Sequence, residues 1–176
     1  MVHEQCDDVS AKATPRPQPH RERRATLRAL KTWTAARNED EMPVLASLTG
    51  GPGLEGEQEA LAENQFIILF EPRSSNSVVI FYGSELPQML GPRNLGNGLQ
   101  QTLPLCLRDT FREACMEAVE KGDVVYRDGR INTLSGADVL YRSIFMPLRS
   151  GSQSDRIYIF GARSEEHTSE LQSHLN

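Results

Sequence analysis

A chain of 176 residues, 38% of them hydrophobic, can bury one core and hardly two. Its formal charge of −5 is ordinary for a soluble cytoplasmic protein. No apolar run approaches the roughly 20 residues of a membrane span, and the N-terminus has no apolar h-region of a secretory signal. Cys6 lies in a polar tail, and Cys106 and Cys115 fall on one helix about 13 Å apart along its axis. That separation excludes a disulfide, so the cysteines read as small buried hydrophobes in a reducing compartment.

Residues 1–20 are polar, with Pro15, Pro17 and Pro19 in alternation, and read as a disordered tail. A helix is expected over Arg21–Arg37, with Arg21, Arg24, Arg28 and Lys31 on one side and Leu30 and Trp33 opposite. A basic stripe can bind nucleic acid. The next segment, Asn38–Glu71, carries eight acidic residues and no Lys or Arg, so the two blocks pair with each other or stay solvated. Thr49–Gly53 is a loop without the Lys-Ser/Thr ending that a phosphate-binding loop requires.

Leu54–Ala62 reads as a short helix. Gln65–Phe70 and Ser77–Tyr82 read as a hairpin of two strands, and Glu85–Leu90 as a further short helix. Gly91–Gln101 is irregular. The long helix follows, with Thr102 as its cap and Pro104 in its first turn, where a missing N–H costs least. Leu103, Leu107, Phe111, Ala114, Ala118 and Val119 form its apolar stripe, and Gly122 stops it.

Three strands close the chain. Val124–Ile131 contains the turn signal Asp128-Gly129, and Val139–Leu148 and Arg156–Phe160 are rich in aromatic and branched residues. Val139, Tyr141 and Phe145 point one way, Leu140, Ile144 and Met146 the other. A sheet with one wet face alternates apolar and polar residues; these strands do not. Both faces are therefore covered, one by the connecting helices and the other by something else. The order implies an α+β domain on a five-stranded antiparallel sheet.

This arrangement resembles a PAS domain over Arg21–Ala162. It looks closest to a bacterial PAS group that opens with Trp, then Arg four positions on, then Pro; here these are Trp33, Arg37 and Pro43. Tyr82-Gly83-Ser84 with Leu90-Gly91, Pro147-Leu148 ending the fourth strand and Gly161 ending the fifth complete the likeness. The resemblance implies a PAS-like sheet with connecting helices on one face and an N-terminal helix. It also implies a sensory or protein-interaction module, often dimeric, without catalysis of its own.

Two departures bear on cofactors. Flavin-photoreceptor relatives carry Asn-Cys-Arg before the long helix; Asn94–Gln101 has no cysteine. Haem-type relatives use a core histidine; His3, His20, His167 and His174 all fall in the expected tails. No cofactor and no metal site is expected. The same histidine census argues against an enzyme.

Residues 163–174 resemble the translation of a common sequencing-library adapter, so 163–176 is expected to be a non-native or disordered tail and 21–162 the domain. The expected apolar ligand cavity is lined by Ile68, Phe81, Leu86, Leu90, Phe111, Tyr126, Tyr141 and Phe145, with the two tyrosines orienting a polar end. Leu30 and Trp33 are expected at a homodimer interface. Signalling would be a shift in how the sheet packs against the N-terminal helix. The alternative is a ligand-free adaptor that binds only protein; a filled core favours it, whereas a cavity of a few hundred Å³ favours the sensor.

Overall fold

The computed structural model describes residues 24–37, 41–49, 63–74, 76–90, 98–132, 138–151 and 155–167. The expected tail over residues 1–20 and the expected helix Leu54–Ala62 lie outside them. The elements are α1 (Arg24–Ala36), α2 (Leu45–Thr49), β1 (Gln65–Phe70), β2 (Val78–Tyr82), α3 (Leu86–Leu90), α4 (Leu99–Thr102), α5 (Leu105–Lys121), β3 (Val125–Asn132), β4 (Asp138–Arg149) and β5 (Ile157–His167). All five strands join one sheet in the order β2-β1-β5-β4-β3, every neighbour antiparallel. The architecture is PAS-like α+β, with β5 at the centre. No described helix is long and apolar enough to cross a membrane.

The doubled apolar pattern of β4 and β5 has a simple cause: the sheet lies between two cores. The inner core holds Phe66, Ile68 and Phe70 of β1, Phe145 of β4 and Ile159 of β5, facing Leu107, Phe111, Ala114, Cys115 and Ala118 of α5. The outer core holds Ile144, Met146 and Leu148 of β4 and Phe160 and Ala162 of β5, beneath Ala29 and Trp33 of α1 and Leu48 of α2. The expected cover of the second face is therefore the chain's own α1, with α2, which the sequence reading did not anticipate.

Thr102 does not cap the long helix. It ends the separate helix α4, its hydroxyl donating to the Gly98 carbonyl at 3.3 Å. Leu103 is extended (ψ 147°) and Pro104 caps α5. Gly122 follows Lys121 as the C-cap, as expected.

Asp128-Gly129 makes no turn; β3 runs straight through it. Gly129 is needed for another reason. A Cβ there would lie 2.8 Å from the Tyr141 hydroxyl oxygen, so the missing side chain is the seat of the cross-strand tyrosine.

Gly161 does not end the fifth strand. β5 continues to His167, pairing Arg163 with Ser143 and His167 with Val139. Gly161 sits mid-strand because a Cβ would lie 2.2 Å from Phe66 Cζ. The domain edge drawn at Ala162 thus cuts a strand, and the reason is backbone pairing. Arg163 and Ser164 are buried rather than solvated. Residues 168–176 lie outside the described set.

Candidate functional site

The inner face of the sheet gathers six of the eight expected lining residues. Ile68, Leu86, Leu90, Phe111, Tyr141 and Phe145 are all buried in one cluster. β1 and β4 bring Ile68, Tyr141 and Phe145, α3 brings the two leucines, and the apolar stripe of α5 brings Phe111. Leu86 N–H is held by the Gly83 carbonyl at 3.2 Å, and the Tyr82 hydroxyl donates to Leu86 O at 3.3 Å. This small frame fixes α3 against the hairpin.

Phe81 and Tyr126 are not in that cluster. Phe81 pairs with Ile67, whose side chain belongs to the outer core. A register shift between Ile67 and Ile68 is the cause: Val79 and Tyr82 both face inward, and Phe81 is turned outward. Tyr126 pairs with Ile144 and packs in the outer core, whereas Tyr141 faces inward opposite Gly129. The two tyrosines thus stand on opposite faces, and they do not converge on one ligand.

What fills the inner face is a cluster of phenylalanines. Phe66, Phe111 and Phe145 pack with ring centroids 5.5, 5.7 and 5.0 Å apart, the last pair edge to face. Phe66, which the sequence reading does not single out, lies over the bare backbone of Gly161. Its signal in the sequence is the pairing of an aromatic in β1 with a glycine in β5. Tyr141 is covered by the Arg163 guanidinium 4.1 Å above its ring; that guanidinium donates to Ser143 Oγ at 3.2 Å and pairs with Glu165 at 2.8 Å. Burial raises the Tyr141 phenol above its ordinary range. The Cys115 thiol is likewise pushed far up by burial, which makes it an inert packing group.

The outer face carries a latch. Trp33, 2% exposed, donates from Nε1 to the Pro147 carbonyl at 2.9 Å. Arg37 stacks 5.2 Å from the Trp33 ring and lies 3.7 Å from the Asp123 carboxylate. The Arg149 N–H donates to the Pro43 carbonyl at 2.9 Å, and the Arg149 guanidinium reaches the Met42 carbonyl and Glu41. The spaced Trp33, Arg37 and Pro43 therefore all pin α1 and its outgoing chain to the ends of β4 and α5. Trp33 is buried against the sheet of its own chain. Leu30 is half-buried beside it.

On the far side of α5, Glu117 is bracketed by Arg127 of β3 and Lys121 of its own helix. Hydrogen bonds from Arg127 and then Lys121 hold its carboxyl below the usual range. An open groove of about 330 Å³ runs beside it, lined largely by carboxylates. No group of three or more His, Cys, Asp or Glu able to hold a metal occurs among the described residues.

No family model matches the chain, and no curated protein matches it. Solved structures do. The PAS domain of a protein from Colwellia psychrerythraea is 14% identical, over 64% of this chain and 97% of its own, with a TM-score of 0.43. The Cycle PAS-B domain of Drosophila melanogaster, with bound ethylene glycol, is 13% identical over 57% of this chain and 99% of its own, at a TM-score of 0.41. A fungal LOV-domain photoreceptor is 11% identical over 80% of this chain and 91% of its own, at a TM-score of 0.44.

Proposed function

We propose that this chain is a non-catalytic, cytoplasmic signalling module of PAS-like architecture that reads a protein partner. The observation that carries the proposal is the latch. α1 is joined to the sheet over a distinct outer core and fastened at its C-terminal end by Trp33, so its docking is an element that partner binding can shift. The filled phenylalanine cluster favours a protein partner over an apolar ligand, because a ligand in that core must first displace a ring.

One such partner is a second copy. The outer face keeps Ile67, Tyr158 and Leu30 half-buried against the outer core, an apolar strip suited to a symmetric contact. Native mass spectrometry of the purified chain tests the proposal. The expected spectrum shows the bare dimer mass. A stoichiometric apolar small-molecule adduct overturns the partner reading, and a monomer at tens of micromolar overturns the homodimer.

A further inference from the structure

Between the start of β2, helix α4 and the first turns of α5 lies a recess of about 30 Å³. Its floor is apolar, made by the buried Phe70 and Leu99. Its polar wall is made by Arg108 and Arg112, one helical turn apart on α5, with Ser77 and Gln100.

Each guanidinium is held by one edge only. Arg108 donates from Nε to the Leu103 carbonyl at 3.0 Å, and Arg112 from one terminal nitrogen to the Ser74 carbonyl at 3.2 Å. Those bonds aim the forks and leave their other N–H groups over. Ser77 accepts the Glu71 N–H at 3.0 Å through its hydroxyl oxygen, which leaves the hydroxyl proton to be given away. Among the described residues, no carboxylate lies within 4 Å of either guanidinium.

The chain is not short of carboxylates. It has 24 acidic against 19 basic residues, so an arginine without a carboxylate is not for want of them. Two like charges four residues apart on a helix repel by a few tenths of a kcal/mol. An anion shared between them relieves the repulsion, and the planar fork of arginine matches a carboxylate.

The geometry points to a binding site for the carboxylate group of a small organic acid. Arg108 and Arg112 clasp the oxygens, and Ser77 donates its proton. A recess of about 30 Å³ takes one carboxylate oxygen. The rest of the acid lies toward the mouth. Asp109 stands exposed on the rim and repels a second negative charge, so the site takes monocarboxylates in preference to phosphate. The recess opens at the margin of the inner core, on the face of the sheet opposite the α1 latch.

The test is a titration of the ¹⁵N-labelled full chain with sodium butyrate, sodium phosphate and sodium chloride at one ionic strength. Butyrate is expected to give saturable shifts of the Arg108 and Arg112 side-chain Nε–H signals, which chloride does not reproduce. Arg108→Lys with Arg112→Lys keeps the charge, loses the forks, and is expected to weaken butyrate at least tenfold with an unchanged amide spectrum elsewhere. Asp109→Asn is expected to strengthen phosphate relative to butyrate. Non-saturable shifts, equal shifts with chloride, or undiminished binding by the double lysine variant each overturn the site. Tighter binding of phosphate than of butyrate by the unaltered chain overturns its class.

Discussion

The indole N–H of Trp33 reaches the carbonyl oxygen of Pro147 at 2.9 Å, joining positions 114 residues apart in the chain. Proline has no N–H, so Pro147 offers the sheet only this acceptor, and Trp33 takes it from outside the ladder. One side chain thereby supplies both a buried ring and a specific bond to the fixed end of β4. Trp33→Ala should destabilise the fold by about 3–5 kcal/mol, through the lost burial and the cavity left behind. Trp33→Phe should cost about 1–3 kcal/mol, mostly from the orphaned carbonyl. Urea unfolding measures both. Trp33 is the single tryptophan, so its emission should be that of a buried indole and move to the exposed wavelength in the same transition.

Gly161→Ala should be among the most damaging single-methyl additions in the chain. Its Cβ would meet Phe66 Cζ at 2.2 Å and the Ile144 carbonyl at 2.7 Å, one of them backbone that cannot yield. Overpacking of this kind costs about 1–3 kcal/mol or more. Phe66→Leu in the same chain should recover part of the loss, and a double-mutant cycle by thermal unfolding would show that coupling. Additive losses would place the damage elsewhere.

Glu117 sets an acid-side dependence. Its carboxyl is held below the ordinary value by Arg127 and Lys121, so the folded state binds the proton less readily than the unfolded chain. The stability it contributes is fully present above the unfolded value of about 4.3, and is lost as pH falls through the lowered folded value. It is a surface network, worth about 0.2–1 kcal/mol. Glu117→Gln should lower stability by that amount at pH 7 and have progressively less effect below pH 4. An equal effect at pH 7 and pH 3 would show that the ion pairs contribute nothing.

Tyr82 sets an alkaline limit. Burial pushes its phenol up to about 12, against an opposing pull from Arg163. The folded state therefore keeps a proton that the unfolded chain gives up near pH 10. Stability from this group is whole below pH 10 and falls as pH rises from there through 12. Tyr82→Phe loses the hydrogen bond to Leu86 O and should flatten the alkaline decline. Denaturant midpoints from pH 8 to 11 would reveal it; parallel curves for the two proteins would refute it.

The features that were legible in the sequence are those a short repeat can carry. The stripe of α5 and the doubly apolar β4 and β5 follow from local periodicity, and they fixed the fold class. The break before α5 was hidden because Leu99, Leu103 and Leu107 keep a four-residue spacing straight across it. Phe81 was misplaced by strict alternation, which the bulge opposite Ile67 and Ile68 interrupts. The hydroxyl of Tyr126 suggests a ligand contact, and only the pairing register shows that it shares a face with Ile144 rather than Tyr141. The polar composition of residues 163–167 hides their strand, because a ladder is made by backbone groups and needs no particular side chain to continue. The apolar side of α1 points to its own sheet as the surface it covers, and the outer core agrees; one strip of residues does not say whether a second copy covers the rest.

The distance along the chain between Trp33 and Pro147 also sets a schedule. A ribosome adding about 5–20 residues per second takes roughly 6–23 s to pass from one to the other. Throughout that interval α1 has been made and its sheet has not, so Ala29, Leu30 and Trp33 travel without the surface they are shaped for. α1 is made early and seated late, and a growing chain must keep the Trp33 indole out of trouble until β4 arrives.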